Sequence, residues 1–274
     1  MQEKKVYIIV GETGCGKTAF ALDFAKEING EIVNIDLSQV YSFLKIGTGQ
    51  ISTEDMASIP HHMLGCIHDP ILISIFDMRK FVEEKVWEIL SRGKVPILVG
   101  GSHFFVLALF FAQLNFLHLS EDVYYKNKNF DSCPWFPYST RDDSKIVFCP
   151  RFSYKVIALE GLEKEKKTIV LMNRIKDFFL NGWLAEVRYL KPEEKEFVLK
   201  RRFIGYPEII SFLQDEQKGN FELLCDGILL RTVQYAKRQR TFLRKLSRHM
   251  FESNIPFVFV DNQSLRDYGK YQKF

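Results

Sequence analysis

The sequence predicts an α/β fold in which a parallel sheet is flanked by helices and followed by a helical C-terminal part. Two observations support this prediction. Short apolar runs rich in β-branched residues alternate with amphipathic stretches over the first hundred residues, which is the pattern of buried strands and the helices between them. Beyond residue 160 the apolar positions recur mainly at helical spacing. Strands and helices that alternate in this way form a doubly wound core.

The elements follow one another in a regular order. The first apolar run, KVYIIV, ends in a glycine-rich turn, as a buried strand does before a helix. Asn29 and Gly30 tolerate positive φ and therefore end the first helix. We predict strands at residues 5–10, 31–36, 96–99, 154–159 and 255–260, and helices at residues 18–28, 77–92 and 164–180. Helices dominate from there to Met250.

The chain is divided into three parts. Residues 1–114 form the α/β core, residues 115–152 have no clear period and are predicted to be a reduced, irregular insertion, and residues 153–274 are a helical region that returns to the core. Residues 227–250 contain seven Lys or Arg and no Asp or Glu, although the net charge of the whole chain is only +4. A helix this basic indicates a polyanionic partner, although a solvated charged face is the other interpretation.

Composition excludes several classes of protein. Apolar residues make up 46% and charged residues 26% of the chain, which is typical of globular proteins and not of disordered or fibrous ones. The five cysteines are widely spaced and match no zinc-binding pattern, which favours a reducing cytoplasm. No segment is long and apolar enough to cross a bilayer, and no signal peptide is recognised. We expect a cytoplasmic monomer without membrane association.

A phosphate-binding loop is the most specific local signal. Residues 11–18 match G-x-x-x-x-G-K-[ST] at every fixed position and lie between a predicted strand and a predicted helix. Its backbone N–H groups can surround a phosphate, Lys17 adds a mobile positive charge, and Thr18 can bind Mg²⁺. The fold is therefore predicted to be P-loop NTPase-like. The residues expected to hold the diphosphate are Gly11, Glu12, Thr13, Gly14, Cys15, Gly16, Lys17 and Thr18.

Further segments follow the phosphate loop in a fixed order. They are NIDLSQVY at residues 34–41 with IGT at 46–48, IPHHML at 59–64, PILVGGS at 96–102, IGYPE at 204–208 and AKRQRTFLR at 236–244. Together they resemble the tRNA dimethylallyltransferase family, and the resemblance covers most of the chain. Each segment is weak alone, but the set in this order is specific.

The resemblance implies a reaction and assigns roles to residues of this chain. A dimethylallyl group would pass from dimethylallyl diphosphate to the exocyclic amine of an adenosine in the tRNA anticodon loop, with Mg²⁺ as cofactor. The catalytic residues would be Asp36, which accepts the amine proton, Ser102, which orients the amine, and Lys17, which neutralises the leaving diphosphate. The residues expected to contact tRNA are Asp36, Leu37, Ser38, Gln39, Arg202, Lys237, Arg238, Gln239, Arg240 and Arg244. On the residues alone, the alternative for Asp36 is that it caps the turn after its strand, which is the less favoured interpretation.

The chain departs from the family pattern at a few positions. Leu37 stands where the family has Ser and removes a hydroxyl beside Asp36, and Ser102, Phe105 and Phe242 replace Thr, Tyr and Trp. The family's Q-R-x-x-R segment has no clear counterpart in residues 115–152. The adjacent pair His61 and His62 matches no metal-ligand spacing, so we expect a structural or substrate-lining role for it.

Three other functions share parts of this pattern. An adenylate isopentenyltransferase would use free AMP, ADP or ATP as the acceptor, and a P-loop small-molecule kinase would transfer a phosphoryl group under an arginine-rich lid. A non-catalytic RNA-binding relative would keep the fold without turnover. The basic C-terminal helix favours tRNA over free nucleotides.

Overall fold

The computed structural model describes residues 5–56, 59–113, 146–148, 151–214 and 219–261. In chain order, the elements within these ranges are β1 Lys5–Gly11, α1 Lys17–Ile28, β2 Gly30–Asn34, β3 His61–His62, α2 Ile75–Ser91, β4 Val95–Gly100, α3 His103–Phe110, β5 Phe111–Gln113, β6 Ile146–Phe148, β7 Ser153–Leu159, α4 Lys164–Leu180, α5 Trp183–Tyr189, α6 Pro192–Arg201, α7 Tyr206–Gln214, α8 Phe221–Glu252 and β8 Phe257–Val260.

The main sheet confirms the predicted fold class. Six strands lie in the order β3-β2-β4-β1-β7-β8, and every neighbouring pair is parallel. The central strand β1 is covered on both faces, and its Val6, Ile8, Ile9 and Val10 are fully buried. This explains why its sequence is a continuous apolar run and not an alternating one. The carboxyl ends of β1, β2 and β4 therefore meet at one edge of the sheet, where ligands bind in folds of this type.

Helices cover the two faces of the sheet differently. On one face, Phe20 and Phe24 of α1 pack against Ile9, Ile97 and Ile157 of the sheet. The opposite face carries a larger cluster that includes side chains of α2, α3, α4 and α8. Neighbouring residues of a strand point to opposite faces, so β1 contributes Ile9 to the first cluster and Ile8 to the second.

The long helix α8 connects the helical C-terminal part to the sheet. The side chain of Asn220 caps its N-terminus by accepting from the backbone N–H groups of Glu222 and Leu223. Of the apolar residues of this helix predicted to face inward, Ala236, Leu243, Leu246 and Met250 are buried and Val233 is partly buried. The helix packs against α4, α3 and β1, so one face of the basic segment lies beside the phosphate loop.

A cluster around Trp183 joins the helical part to the chain that follows β2. The Glu186 carboxylate accepts hydrogen bonds from the backbone N–H groups of Ile46 and Gly47, at 2.7 and 3.2 Å. It also accepts from the hydroxyl of Tyr206 at 2.7 Å. Burial and the charge of Glu186 both raise the pKa of Tyr206 well above its usual value, so this hydroxyl stays a donor. The IGT and IGYPE segments therefore meet in one structural unit.

Most predicted elements are confirmed within one or two residues. The strand predicted to end at Asp36 ends at Asn34, and the two-residue strand β3 was not predicted because so short a run carries no periodic signal. Of the predicted insertion at 115–152, only residues 146–148, 151 and 152 are among those described, and β6 pairs with β5 in a separate two-stranded sheet. The rest of that prediction lies outside the described residues. None of the helices in the described ranges is long and apolar enough to cross a membrane.

Gly205 tests the packing around Trp183. Its φ of +90° favours glycine, and a Cβ atom there would clash with the Trp183 ring. We expect Gly205→Ala to lower the free energy of unfolding by about 2–4 kcal/mol, because backbone strain and overpacking add. Gly227→Ala is the control: nothing lies within 4 Å of that Cβ position, in the interior of α8. Urea denaturation should show a gain of about 0.5–1 kcal/mol for Gly227→Ala, and equal midpoints for both variants would contradict this account.

Candidate active site

The phosphate loop connects β1 to α1 and has the backbone that its glycines allow. Gly14 and Gly16 have φ values of +80° and +87°, in the left-handed region that favours glycine. The ammonium group of Lys17 donates to the carbonyl oxygens of Gly11 and Glu12 at 3.0 and 2.8 Å. Lys17 is also the first residue of α1, so a phosphate held by the loop would face the positive end of that helix.

Asp36 lies just beyond the carboxyl end of β2, and Asn34 fixes its backbone. The Asn34 side chain accepts from the Asp36 N–H at 3.0 Å and donates to the carbonyl oxygens of Asp36 and Met63, at 3.0 and 2.9 Å. Asn34 is buried, so these bonds are shielded from water. The first residue of the N-x-D segment therefore positions its last.

The Asp36 carboxylate is oriented by Ser38. Its Oδ1 accepts hydrogen bonds from the Ser38 backbone N–H at 3.0 Å and from the Ser38 hydroxyl at 2.7 Å. Leu37, placed among the tRNA-contacting residues by the sequence, is partly buried and packs against the core. The hydroxyl that Leu37 lacks is therefore supplied to Asp36 by its neighbour. Gln39 donates to the carbonyl oxygens of Thr48 and Gly49, at 3.1 and 3.3 Å.

Gln239 of α8 bridges the phosphate loop and the end of β4. Its Oε1 accepts from the Thr13 N–H at 2.8 Å, and its Nε2 donates to the Gly101 carbonyl at 2.9 Å. The side chain is buried. Gln239 was grouped with the tRNA-contacting residues, but the structure engages both ends of its amide inside the protein. The Thr13 N–H, expected to face the diphosphate, is bonded to this amide.

The paired glycines at the end of β4, Gly100 and Gly101, leave room for the close approach of Asp36 and Gln239. A Cβ atom on Gly100 would lie 2.9 Å from the Asp36 backbone nitrogen, which is too close for any side chain. A Cβ atom on Gly101 would clash with Gln239 and lie 3.6 Å from Oδ2 of Asp36. Ser102 follows directly, and its carbonyl accepts from the Phe105 N–H at 2.9 Å at the start of α3. Asp36, Ser102 and the phosphate loop therefore converge at one sheet edge.

Arg174 of α4 is a site residue that the sequence analysis did not identify. Its guanidinium lies 5.0 Å from the centre of the Phe178 ring and is close enough to Asp36 and Cys15 to interact with both electrostatically. Burial lowers its pKa below the usual value, and Asp36 acts in the opposite direction. An arginine remains charged under such conditions. Its position inside a long amphipathic helix gave no sequence signal for this role.

Tyr235 of α8 is close enough to Asp36 to interact with it electrostatically. Its side chain is hydrogen-bonded to Gln239, and both burial and the nearby charge of Asp36 raise the pKa of its hydroxyl. The phenol therefore stays neutral beside the carboxylate. Tyr235 also lies under the guanidinium of Arg238, 6.0 Å from the ring centre.

The remaining predicted tRNA contacts fall into two groups. Lys237, Arg238 and Arg244 are exposed on α8, and Arg202 is exposed at the end of α6. Arg240 is exposed as well, but its guanidinium donates to the buried Glu12 carboxylate at 2.9 Å. The structure thus directs two consecutive residues of the AKRQRTFLR segment, Gln239 and Arg240, towards the phosphate loop.

The adjacent histidines have structural partners. His62 Nε2 lies 2.7 Å from the buried Glu31 carboxylate, which also pairs with Arg92 at 2.7 Å. His61 Nδ1 lies 2.8 Å from the Ile59 carbonyl. Burial lowers the pKa of His61, which keeps its ring neutral. These contacts are consistent with the structural role expected for the pair.

The donor set around the phosphate loop fits Mg²⁺ bound through a phosphate. Thr18 is exposed at the first turn of α1 and offers a hydroxyl oxygen. Within the described ranges, no group of three or more His, Cys, Asp or Glu side chains is arranged to hold a metal. Magnesium at phosphate sites takes one or two protein oxygens, and phosphate and water supply the rest. Thr18 can supply one such protein oxygen. The described residues offer no group of side chains that would hold the ion by themselves.

Known proteins resemble this chain in sequence or in fold. The chain is 27% identical to the tRNA dimethylallyltransferase of Staphylococcus aureus strain MRSA252, covering 90% of this chain and 92% of that protein. The crystal structure of the full-length tRNA isopentenylpyrophosphate transferase of Bacillus halodurans gives a TM-score of 0.69 at 21% identity, covering 98% of this chain and 95% of that one. A eukaryotic dimethylallyltransferase acting on tRNA gives a TM-score of 0.74 at 22% identity, covering 99% of this chain and 77% of that one. These structures share its fold.

A family model decides the relationship. The model for IPP transferase matches residues 39–131 and 123–246, well over half of the 274 residues. The matched region includes Gln239, Arg174 and the glycines after β4. The chain therefore belongs to the IPP transferase family, as the order of its sequence segments predicted.

Proposed function

We propose that this protein transfers a dimethylallyl group from dimethylallyl diphosphate to the exocyclic amine of an adenosine in the tRNA anticodon loop, releasing diphosphate. The observation that carries the proposal is the placement of Asp36 beside the phosphate loop. Gln239 bonds to both Thr13 and Gly101, and Arg174 interacts with both Asp36 and Cys15. An acid that can accept a proton and a loop that can hold a diphosphate therefore share one site.

The chemistry follows from this juxtaposition. The amine nitrogen attacks the first carbon of the dimethylallyl group while the bond from that carbon to the diphosphate oxygen breaks, and the electron pair of that bond leaves with the diphosphate. The amine loses one proton to Asp36. Oδ1 of Asp36 is occupied by Ser38, and Oδ2, on the Gly101 side, is the oxygen that receives it. Ser102, which follows Gly101, would orient the amine.

The negative charge that develops on the leaving group requires cations. Lys17 belongs to the phosphate loop, and Arg174 approaches the same region from α4. Both positive charges lie in partly buried surroundings, where electrostatic stabilisation is stronger than in water. Mg²⁺ bound at Thr18 would supply further neutralisation of the diphosphate.

The acceptor must enter from the side of α8. Lys237, Arg238 and Arg244 give that helix an exposed basic face, and no acidic residue lies between positions 227 and 250 to neutralise it. Phosphates of an RNA stem-loop match such a face. A base in a single-stranded loop is cheap to unstack, which suits an adenosine beside the anticodon.

We propose that the protein acts in the cytoplasm. The three cysteines within the described residues, Cys15, Cys66 and Cys225, are free thiols, which suits a reducing compartment. We propose that it acts as a monomer.

One assay separates this function from the other candidates. The protein is incubated with unmodified tRNA, AMP, ATP, Mg²⁺ and dimethylallyl diphosphate, and both the tRNA nucleosides and the free nucleotides are analysed by mass spectrometry. Prenylated adenosine in tRNA is the expected product. Prenylated free AMP with unmodified tRNA would indicate an adenylate isopentenyltransferase, phosphoryl transfer from ATP a kinase, and no product at all a non-catalytic relative.

Asp36→Asn tests the proposed base. We expect a loss of about 10²- to 10⁴-fold in kcat, because the amide cannot accept the amine proton. The affinity for dimethylallyl diphosphate, measured by calorimetry, should stay within about threefold of the wild type, since the variant keeps the shape of the side chain. Unchanged turnover would remove Asp36 from the mechanism.

Lys17→Ala tests the phosphate loop. We expect the affinity for dimethylallyl diphosphate to fall by about 10- to 100-fold, because a charge-assisted hydrogen bond is lost. The affinity for tRNA alone, followed by filter binding, should not change. A variant that binds the donor as tightly as the wild type would contradict the role of Lys17.

Arg244→Gln tests the exposed face of α8. We expect weaker binding of tRNA and a slope of log affinity against log salt that is smaller by about one unit, as for the loss of one phosphate contact. The donor affinity should be unaffected. An unchanged salt slope would show that this face carries no RNA.

A further inference from the structure

The phosphate loop contains an acid at a position where an acid should disfavour an anionic ligand. Glu12 is the second residue of the loop, and its side chain is only 3% exposed. A buried carboxylate beside a diphosphate site would repel the ligand and would itself be costly to bury, unless cations neutralise it. The structure shows which cations do so.

Two cations from separate helices meet at one oxygen of Glu12. Lys167 of α4 lies 2.6 Å from Oε1, and Arg240 of α8 lies 2.9 Å from the same atom. Lys167 is buried as well. The three side chains form what we call the Glu12 cluster, with one negative and two positive charges. The surroundings of the second residue of the loop therefore carry a net positive charge, which favours the binding of an anionic diphosphate.

The neutralisation of Glu12 depends entirely on these contacts. Its other oxygen, Oε2, is buried and has no hydrogen-bond partner among the described residues. Gly161, just after β7, contributes by lacking a side chain, because a Cβ atom there would clash with Oε1. Removing either cation would take away one of the two contacts that hold Oε1 and leave a single ion pair, so the Glu12 side chain and the loop that carries it would be held less firmly.

Arg240 therefore has a different task from the basic residues around it. Its guanidinium also donates to the Leu162 carbonyl at 3.3 Å, which holds it against the loop after β7. The preceding residue, Gln239, bonds to Thr13, the residue after Glu12. Two consecutive residues of α8 thus hold two consecutive residues of the phosphate loop.

We propose that Arg240 and Lys167 are positioning residues that act through Glu12 to hold the phosphate loop in its diphosphate-binding form, and that Arg240 does not bind RNA. This inference rests on the proposed function for the identity of the donor. It links the helix that faces RNA to the loop that faces the donor through a defined ionic contact. It also gives Glu12 a role in the site that its charge alone would argue against.

The test is a double-mutant cycle on diphosphate binding in the absence of RNA. Inorganic diphosphate with Mg²⁺ is titrated by calorimetry into the full chain, into Arg240→Gln, into Glu12→Gln and into the double variant. We expect Arg240→Gln to weaken binding about three- to tenfold in the wild-type background and less than about twofold in the Glu12→Gln background. Arg240→Lys, which keeps the charge, should recover part of the loss.

Arg244→Gln is the matched control on the same helix. It should leave diphosphate affinity unchanged and weaken tRNA binding, whereas Arg240→Gln should do the reverse. Circular dichroism and thermal melting establish whether each variant is folded. If Arg240→Gln is unfolded, Arg240→Lys is used in its place.

Three outcomes would overturn the inference. An equal loss in both backgrounds would mean that Arg240 contacts the diphosphate directly, no loss would mean that the ion pair is irrelevant to the loop, and weaker tRNA binding by Arg240→Gln would return Arg240 to the RNA face. The proposed function can fail separately. A wild-type protein that binds inorganic diphosphate but leaves tRNA unprenylated would contradict the proposed function and would not change the result of the double-mutant cycle.

Discussion

The arrangement of this site depends on one buried amide. The Gln239 side chain bonds at one end to the phosphate loop and at the other to the turn after β4, and each of its bonds replaces one that water would otherwise make. Because both partners are backbone groups, the amide fixes loop geometry and not a particular side chain. Shortening or removing it would leave the Thr13 N–H and the Gly101 carbonyl without partners inside the protein, at a cost well above that of a surface hydrogen bond.

Around that amide, three elements bring opposite charges to one place. The end of β2 presents the Asp36 carboxylate, α1 presents Lys17 and its positive end, and α4 presents Arg174. The Asp36 carboxylate, which we propose as the base, thus lies near the cations that we propose to stabilise the leaving group. The Ser38 hydroxyl donates to Oδ1 of Asp36, so the Asp36 carboxylate cannot turn both of its oxygens towards those cations. The hydrogen bonds to Asp36 and the glycines beside it therefore keep the carboxylate and the cations from pairing directly.

The helix α8 faces two ways. Lys237, Arg238 and Arg244 are exposed to solvent on it, Gln239 is buried against the phosphate loop, and Arg240, whose side chain is 44% exposed, reaches Glu12. A helix has room for both tasks because its side chains project in different directions around its axis. This arrangement gives a physical route by which the acceptor side and the donor side of the site share a rigid element.

The sequence alone determined the fold class, most element boundaries, the phosphate loop and the family, because these depend on local signals: periodicity, glycines with special φ and short motifs in a fixed order. It also singled out Asp36. It could not separate the inner from the outer residues of the basic helix, since Gln239 and Arg240 are polar like their neighbours. It gave no reason to notice Arg174 or Lys167, or to see Glu12 as neutralised. Those roles were decided only by tertiary structure, because they depend on which charges distant helices bring within about 3–6 Å of the loop, a distance over which electrostatic interaction is strong and which no spacing along the chain encodes.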